Sequence, residues 1–130
     1  MDTSEIELLQ EAAVWREGAS GELDQLVEMV QERYPGKAYC LVREWTLFRA
    51  ALTEPELAKV AAAGHLPLFL FAHHVVLDSA GRFEPGHWVR SSIGVALVDG
   101  HFFETRNTVY VLVGKGAEQT ASLKTIFSFY

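Results

Sequence analysis

Apolar residues recur at helical spacing in the first part of the chain and at strand spacing in the rest. Over residues 6–17 the apolar positions fall three and four residues apart, which predicts a first helix. Ser4 and Glu7 form a capping box in front of it, because the serine hydroxyl and the glutamate three residues later can each accept from the other's backbone N–H. Gly18 is expected to end this helix.

Two further helices are predicted from their N-capping residues and their apolar faces. Ser20 is the expected cap of the second helix, which ends at the turn residues 34–36 and has an apolar stripe of Leu23, Leu26, Val27 and Val30. Thr53 is the expected cap of the third, in which a proline occupies an early position and Gly64 follows the end. Its inward-facing residues are predicted to be Leu57, Val60 and Ala61.

Strands account for most of the remaining pattern. One is predicted over residues 37–48, and the alternation after residue 66 predicts others at 68–77, 88–92, 94–98, 101–105 and 108–113. Asp99-Gly100 is typical of a two-residue hairpin turn. Arg106-Asn107 predicts a second tight turn or a bulge. Residues 120–130 fit a short helix or a final strand equally well.

The order of these elements predicts an α+β fold. Helices come first, and a mainly antiparallel β-meander follows, on which the helices would pack. The chain of 130 residues has the size of a single domain, residues 1–130, and its hydrophobic content of 49% suffices for a core. The N-terminus lacks the basic and apolar regions of a signal peptide, and no apolar run is long enough to span a membrane.

The acidic charge is confined to the beginning of the chain. Residues 1–33 hold nine acidic and two basic residues, a net charge of −7, whereas residues 34–130 hold eight acidic and nine basic residues, a net charge of +1. Direct nucleic-acid binding is not expected, because no basic patch exists. An acidic helical face suits a basic protein partner, and its predicted residues are Glu7, Glu11, Asp24 and Glu28.

The sequence offers no complete catalytic or metal-binding motif. His73 and His74 are adjacent on a predicted strand, so they point to opposite faces, and one of them is expected to be buried. Cys40, the lone cysteine, is expected in the core of a protein from a reducing compartment. We therefore predict no catalytic residue, no metal site and no cofactor.

A polar seam within residues 88–116 is the best candidate for ligand binding. Arginines, hydroxyls and an amide interrupt the apolar strands there, and they form one pocket if the fold brings them together: Arg90, Ser92, Thr105, Arg106, Asn107 and Tyr110. Glu104 faces Val109 if residues 106–107 form a two-residue turn, and an ion pair with Arg90 or Arg106 is its expected role. Trp88, at the start of a strand, could border a groove.

Two strings in the C-terminal half resemble a known group of proteins. They are Trp-Val-Arg-Ser-Ser at 88–92 and Phe-Glu-Thr-Arg-Asn-Thr-Val-Tyr-Val-Leu-Val-Gly at 103–114, preceded by Leu-Asp-Ser at 77–79 and Arg-Phe-x-x-Gly at 82–86. They are similar to a family of small uncharacterised proteobacterial and phage-type proteins, a domain of unknown function. The resemblance implies a domain sometimes carried on mobile DNA, and it implies no catalytic residue.

These observations favour a small, soluble, cytoplasmic binding or regulatory protein that acts through protein–protein contact. The resemblance to phage-type proteins implies a host or defence protein as the partner. The first alternative is a small-ligand or nucleotide-binding module, with or without enzyme activity, that uses the Arg90 and Arg106 pocket. The second is a homo-oligomeric structural protein, for which the Phe-Ser-Phe-Tyr terminus at 127–130 is a candidate homodimer contact.

Overall fold

Eight strands and three helices make up the computed structural model of the protein, which describes residues 13–128. The strands are β1 Val14–Glu17, β2 Ala38–Ala50, β3 Leu68–Asp78, β4 Val89–Arg90, β5 Gly94–Val98, β6 Phe102–Thr105, β7 Thr108–Leu112 and β8 Lys115–Ala121. The helices are α1 Leu23–Arg33, α2 Glu54–Ala62 and α3 Leu123–Ile126.

All of these strands belong to one mixed sheet, and β2 is its longest member. The hydrogen-bonded order is β1-β8-β2-β7-β6-β5, and β3 lies against β2 and β4. The first part of β2 runs parallel to β7 and the last part runs parallel to β8, while β3 pairs antiparallel along most of its length. Glu44, with a φ of 53°, marks the bend at which β2 exchanges one neighbour for the other.

The sheet curls back on itself through the segment that joins β4 to β5. Ser91 N donates to Leu70 O at 2.8 Å, and Leu66 N donates to Gly94 O at 2.8 Å, so this segment continues the pairing with β3. Further along, β5 pairs with β6. The strands β2, β3, β4, β5, β6 and β7 therefore enclose an interior.

Apolar side chains fill that interior and cover parts of the outer surface. The interior cluster includes Trp45, Leu70, Phe103, Tyr110 and Leu112. Outside, α1 packs its buried Leu26 and Val30 on β7, and α3 covers β2 with Ile126. The core thus has an inner layer and two outer layers, one beneath each of these helices.

The predicted α+β fold, with N-terminal helices packed on a mainly antiparallel β-meander, is wrong. The fold is mostly β, and its central strand has parallel neighbours on one side. Local alternation predicts a strand but does not identify its neighbours, because parallel and antiparallel strands share the same two-residue period.

The first predicted helix is also wrong where the structure describes it. Residues 14–17 of the predicted helix 6–17 form β1, which pairs antiparallel with β8, and the earlier residues lie outside the described part. The second helix is confirmed, but its cap is Glu22 instead of Ser20, with Gln25 completing the capping box.

The third helix begins at its predicted cap but does not pack as predicted. Thr53 accepts from Glu56 N at 3.3 Å, and the Glu56 carboxylate accepts from Thr53 N at 2.9 Å. None of the helix residues is buried, so Leu57, Val60 and Ala61 do not form an inward face. His73 and His74, of which one was expected to be buried, are both exposed.

The predicted turn at residues 106–107 is confirmed, whereas the turn at Asp99-Gly100 forms but connects its strands through three residues, 99–101, because Val98 pairs with Phe102 and not with His101. Asp99 and Gly100 have φ values of 57° and 70°, and His101 N donates to Val98 O at 3.0 Å. Glu104 pairs with Val109, as a two-residue turn at 106–107 requires. The ambiguous C-terminal residues divide between the end of β8 and α3, which Ser122 caps.

Candidate functional site

The connection between β3 and β4 is held in place by one buried carboxylate. Asp78 ends β3, and its side chain is fully buried. Its oxygens accept from Arg82 N at 2.7 Å, Arg82 Nε at 3.1 Å, Arg82 Nη2 at 2.8 Å and Phe83 N at 3.3 Å. At the other end of the connection, Val75 N donates to His87 O at 2.7 Å. The loop is therefore anchored at both ends.

These bonds determine the ionisation of Asp78. Burial alone would raise the pKa of its carboxyl group, but the hydrogen bonds from the Arg82 side chain and from the backbone of Arg82 and Phe83 outweigh burial. The pKa of Asp78 therefore lies below its ordinary value. Arg82 also donates to Thr108 Oγ1 at 2.8 Å, which ties the loop to the start of β7.

The anchored loop and β4 form a groove of about 470 Å³, which we call the Trp88 groove. Its lining residues are Phe83, His87, Trp88, Val89 and Arg90. Val89 is buried in the interior cluster, and the Phe83 ring packs against the same cluster. The floor of the groove is thus continuous with the core, and the volume lies in the range of small-molecule pockets.

An exposed indole and an arginine form the rim of the groove. Trp88 stacks on Phe71 with the ring centroids 6.0 Å apart and the planes at 25°, yet 45% of the residue stays exposed. Arg90 lies 5.0 Å from the Phe127 ring centroid and donates from Nη1 to Phe127 O at 3.3 Å. The rim therefore combines a flat apolar surface with a held positive charge.

The lining of the Trp88 groove combines aromatic rings with one imidazole and one guanidinium group. None of the lining residues of the Trp88 groove carries a hydroxyl, thiol or carboxylate. Burial raises the pKa of the Cys40 thiol to about 12, with a smaller contribution in the same direction from Asp78. Burial likewise raises the pKa of Tyr110 to about 12. Both groups are therefore protonated inside the core at neutral pH.

Two further features are absent from residues 13–128. In that part of the chain, no group of three or more His, Cys, Asp or Glu side chains is arranged to hold a metal ion. No helix there is long and apolar enough to cross a membrane.

The structure separates the two arginines of the predicted polar pocket. Arg90 pairs with Phe71, which pairs with Thr46, whereas the Arg106 turn precedes Thr108, which pairs with Ala38. Thr46 and Ala38 are eight residues apart on β2, which corresponds to roughly 26 Å of extended strand. Arg90 contributes to the Trp88 groove, and Arg106 does not line it.

The other residues of that predicted pocket lie at different depths. Ser92 is exposed next to β4, and Asn107 is exposed in the β6–β7 turn. Thr105 is buried, donating to Thr108 O at 3.1 Å, and Tyr110 is buried in the interior cluster.

Glu104 forms an ion pair, but with a different partner from the two arginines expected. Lys37 Nζ donates to Glu104 Oε2 at 2.6 Å and to Thr105 O at 2.9 Å.

The predicted acidic face is only partly within the described residues. Asp24 and Glu28 lie on α1 and are exposed. Glu32 follows them at the same four-residue interval, so the three carboxylates form a stripe on the solvent side of the helix. Glu7 and Glu11 lie outside the described residues.

Sequence reasoning identified Trp88 as a groove residue but missed Phe83 and His87. An aromatic residue in a turn-rich segment between two strands is a signal for Phe83, since such a segment lies on the surface unless a ring anchors it. The sequence signal for His87 is weaker. It consists only of the preceding Gly86, whose φ of 90° directs the chain into β4.

Comparison with known proteins identifies a family without an assigned activity. A family model described as a domain of unknown function, DUF6957, matches residues 17–128. The match includes the complete Trp88 groove. Neither a search of curated proteins nor a search of solved structures gives a match.

Proposed function

The chain belongs to the DUF6957 family, whose description assigns no function, and we propose its function from its own geometry. We propose that the protein is a binding protein whose Trp88 groove takes a small ligand with a planar ring and an anionic group. A nucleotide has both parts. The ring would stack on Trp88, and the phosphate would lie at Arg90.

The exposed indole of Trp88 is the observation that supports this proposal. A tryptophan side chain offers about 200 Å² of mostly apolar surface, so leaving 45% of Trp88 in water forgoes about 2 kcal/mol of burial free energy. A ligand that covers the indole recovers this free energy. Stacking on aromatic side chains contributes roughly 1–3 kcal/mol per base in proteins that bind single strands.

The anchored loop supports the same proposal. Phe83 and His87 are held by the Asp78 hydrogen bonds and by the pairing with Val75, so the groove exists before a ligand arrives. A preformed groove binds more tightly because less conformational entropy is lost on binding.

Calorimetric titration with nucleoside monophosphates and the matching nucleosides tests the proposal. We expect Trp88→Ala to abolish binding of both. Arg90→Gln should remove the preference for the phosphorylated form, since a charge-assisted hydrogen bond contributes roughly a factor of ten. Trp15→Ala is the matched control, because Trp15 is also exposed but lies on β1. Equal binding by the Trp88 and Trp15 variants, or no binding by the unmodified protein, would overturn the proposal.

A second candidate function is contact with a basic protein through α1. In the described part of the chain, no ion pair involves Asp24, Glu28 or Glu32, and Met29 is exposed beside them. An unpaired acidic stripe next to an apolar side chain suits a basic, partly apolar partner. From the resemblance to phage-type proteins, we propose that this partner is a cytoplasmic host or defence protein. The proposal predicts that added salt weakens binding of the basic partner. It is contradicted if salt has no effect on this binding, or if the double substitution Asp24→Lys and Glu28→Lys leaves the binding unchanged.

A further inference from the structure

A second cavity lies where two edges of the sheet approach each other. β1 and β5 are the ends of the hydrogen-bonded order, yet a Cβ built on Gly100, in the turn after β5, would lie 3.6 Å from Glu17 O. Between these edges is a cavity of about 290 Å³, which we call the β1–β5 cleft. Its lining includes Arg16, Trp45, Leu47, Leu97, Gly100 and Glu118. It shares no residue with the Trp88 groove.

The floor of the cleft is apolar and rigid. Trp45 and Leu47 lie on the same face of β2, and each is only 2% exposed. The indole lies directly against Gly116 of β8, where any side chain would collide with it, and its Nε1 donates to Gly114 O at 3.3 Å. Leu97 of β5 provides the facing wall. Side chains fixed in this way form a preformed apolar site.

One side of the cleft is charged. Arg16 and Glu118 line it, and Arg49, which is not part of the lining, shares the Glu118 carboxylate with Arg16. Arg16 Nε donates to Glu118 Oε2 at 3.2 Å, and Arg49 Nη2 donates to Glu118 Oε1 at 3.0 Å. The Glu118 side chain is 18% exposed, whereas those of Arg16 and Arg49 are 54% and 49% exposed. Glu17 also lines the cleft, but in a strand its side chain projects from the face opposite to that of Arg16.

This geometry selects an anion over a cation. Both oxygens of Glu118 already accept from guanidinium groups, so a cationic ligand would have to displace an arginine. Each guanidinium has five N–H donors, and the hydrogen bonds among the described residues use one of Arg16 and one of Arg49. A carboxylate can therefore join the cluster without breaking either ion pair.

We propose that the β1–β5 cleft is a second binding site, and that it takes a small monocarboxylate with an apolar body. The body lies against Trp45, Leu47 and Leu97, and the carboxylate accepts from Arg16 and Arg49. The volume of about 290 Å³ lies at the lower limit of ligand pockets, ~300–1,000 Å³, and restricts the body to a short alkyl chain or one aromatic ring. This proposal is independent of the function proposed for the Trp88 groove.

Titration with hexanoate, 3-phenylpropionate and the neutral analogue hexanol tests the proposal, with backbone and indole NMR shifts as the readout. We expect the carboxylates to shift the Trp45 indole resonance. Arg16→Gln and Arg49→Gln should each weaken carboxylate binding roughly tenfold and leave hexanol binding unchanged. These rim variants should stay folded, because exposed ion pairs contribute little to stability.

Two further variants distinguish binding in this cleft from binding elsewhere on the protein. Leu97→Phe fills the cleft with a larger side chain and should weaken binding of hexanoate and hexanol together. Trp88→Ala alters the other groove and should leave both affinities unchanged. The proposal is overturned if no probe shifts Trp45, if carboxylates bind the arginine variants as tightly as the unmodified protein, or if Trp88→Ala abolishes their binding.

Discussion

Single residues determine how the loop before β4 is held, and Asp78 is the most consequential of them. Asp78 ends β3 and begins the loop, and its carboxylate accepts from two backbone N–H groups that follow it. No pattern in the sequence indicates that the Arg82 side chain also donates to this carboxylate, through two of its nitrogens. That contact depends on Thr108, which is distant in sequence and holds a third nitrogen of Arg82.

Asp78→Asn should destabilise the protein in a pH-dependent way. Asp78 is fully buried but the Arg82 side chain is 36% exposed, so neutralising the carboxylate should cost roughly 1–3 kcal/mol at neutral pH. The pKa of Asp78 is lowered in the folded protein. Its carboxylate therefore stabilises the fold above the unfolded pKa of about 3.9, and this stabilisation is lost as the pH falls through the folded value. Urea unfolding at a series of pH values should show the two proteins converging in acid.

Asp99→Asn is the matched control for this prediction. Asp99 also pairs with an arginine, Arg33, at 3.3 Å, but both side chains are largely exposed. Exposed pairs contribute about 0–1 kcal/mol, so this variant should have nearly the stability of the unmodified protein at every pH. A pH-independent loss of stability in Asp78→Asn would show that packing, and not the charge, is responsible.

At the scale of elements, local patterns predicted α1 and the hairpin at residues 99–100 but not β1. The α1 pattern succeeded because Leu26 and Val30, one turn apart, are both buried on β7. Residues 14–17 fit helical spacing and strand alternation equally well over so short a length. Pairing with β8, Trp15 opposite Ala117, selects the strand, and the sequence around residue 15 contains no information about β8.

Neutralising the middle of the α1 stripe should stabilise the protein. Glu28 lies one turn from both Asp24 and Glu32, and like charges at this spacing cost about 0.2–0.5 kcal/mol per pair. Glu28→Gln should therefore raise the melting temperature by a few degrees at low salt, and the gain should shrink at high salt because the repulsion is screened. Differential scanning calorimetry at two salt concentrations measures both effects.

Gln25→Ala is a useful comparison for the same helix. It changes no charge but removes the side chain that accepts from Glu22 N in the capping box, so it should lower the melting temperature at both salt concentrations. If Glu28→Gln lowers the melting temperature instead, the stripe interacts favourably with groups of this protein, and its proposed availability to a basic partner is contradicted.

For the whole molecule, the arrangement of the sheet is what local patterns could not predict. The strands β2 and β3 were predicted almost to the residue, but the parallel pairing of β2 with β7 and β8 was not. Each of those partners is distant in sequence, and their pairing is selected by how the entire sheet closes around its interior. The Trp88 groove and the β1–β5 cleft are consequences of that closure, so only their individual residues were open to prediction.

Native-state hydrogen exchange should reveal β2 as the stability centre of the molecule. Leu41 and Val42 are completely buried, and β2 pairs on both of its edges, so their amides should exchange only by global unfolding. By contrast, α2 buries none of its residues, and its amides should exchange orders of magnitude faster through local opening. Equal protection of α2 and β2 would instead mean that the helix unfolds only with the sheet. Contacts of α2 would then contribute more to stability than its exposed surface indicates.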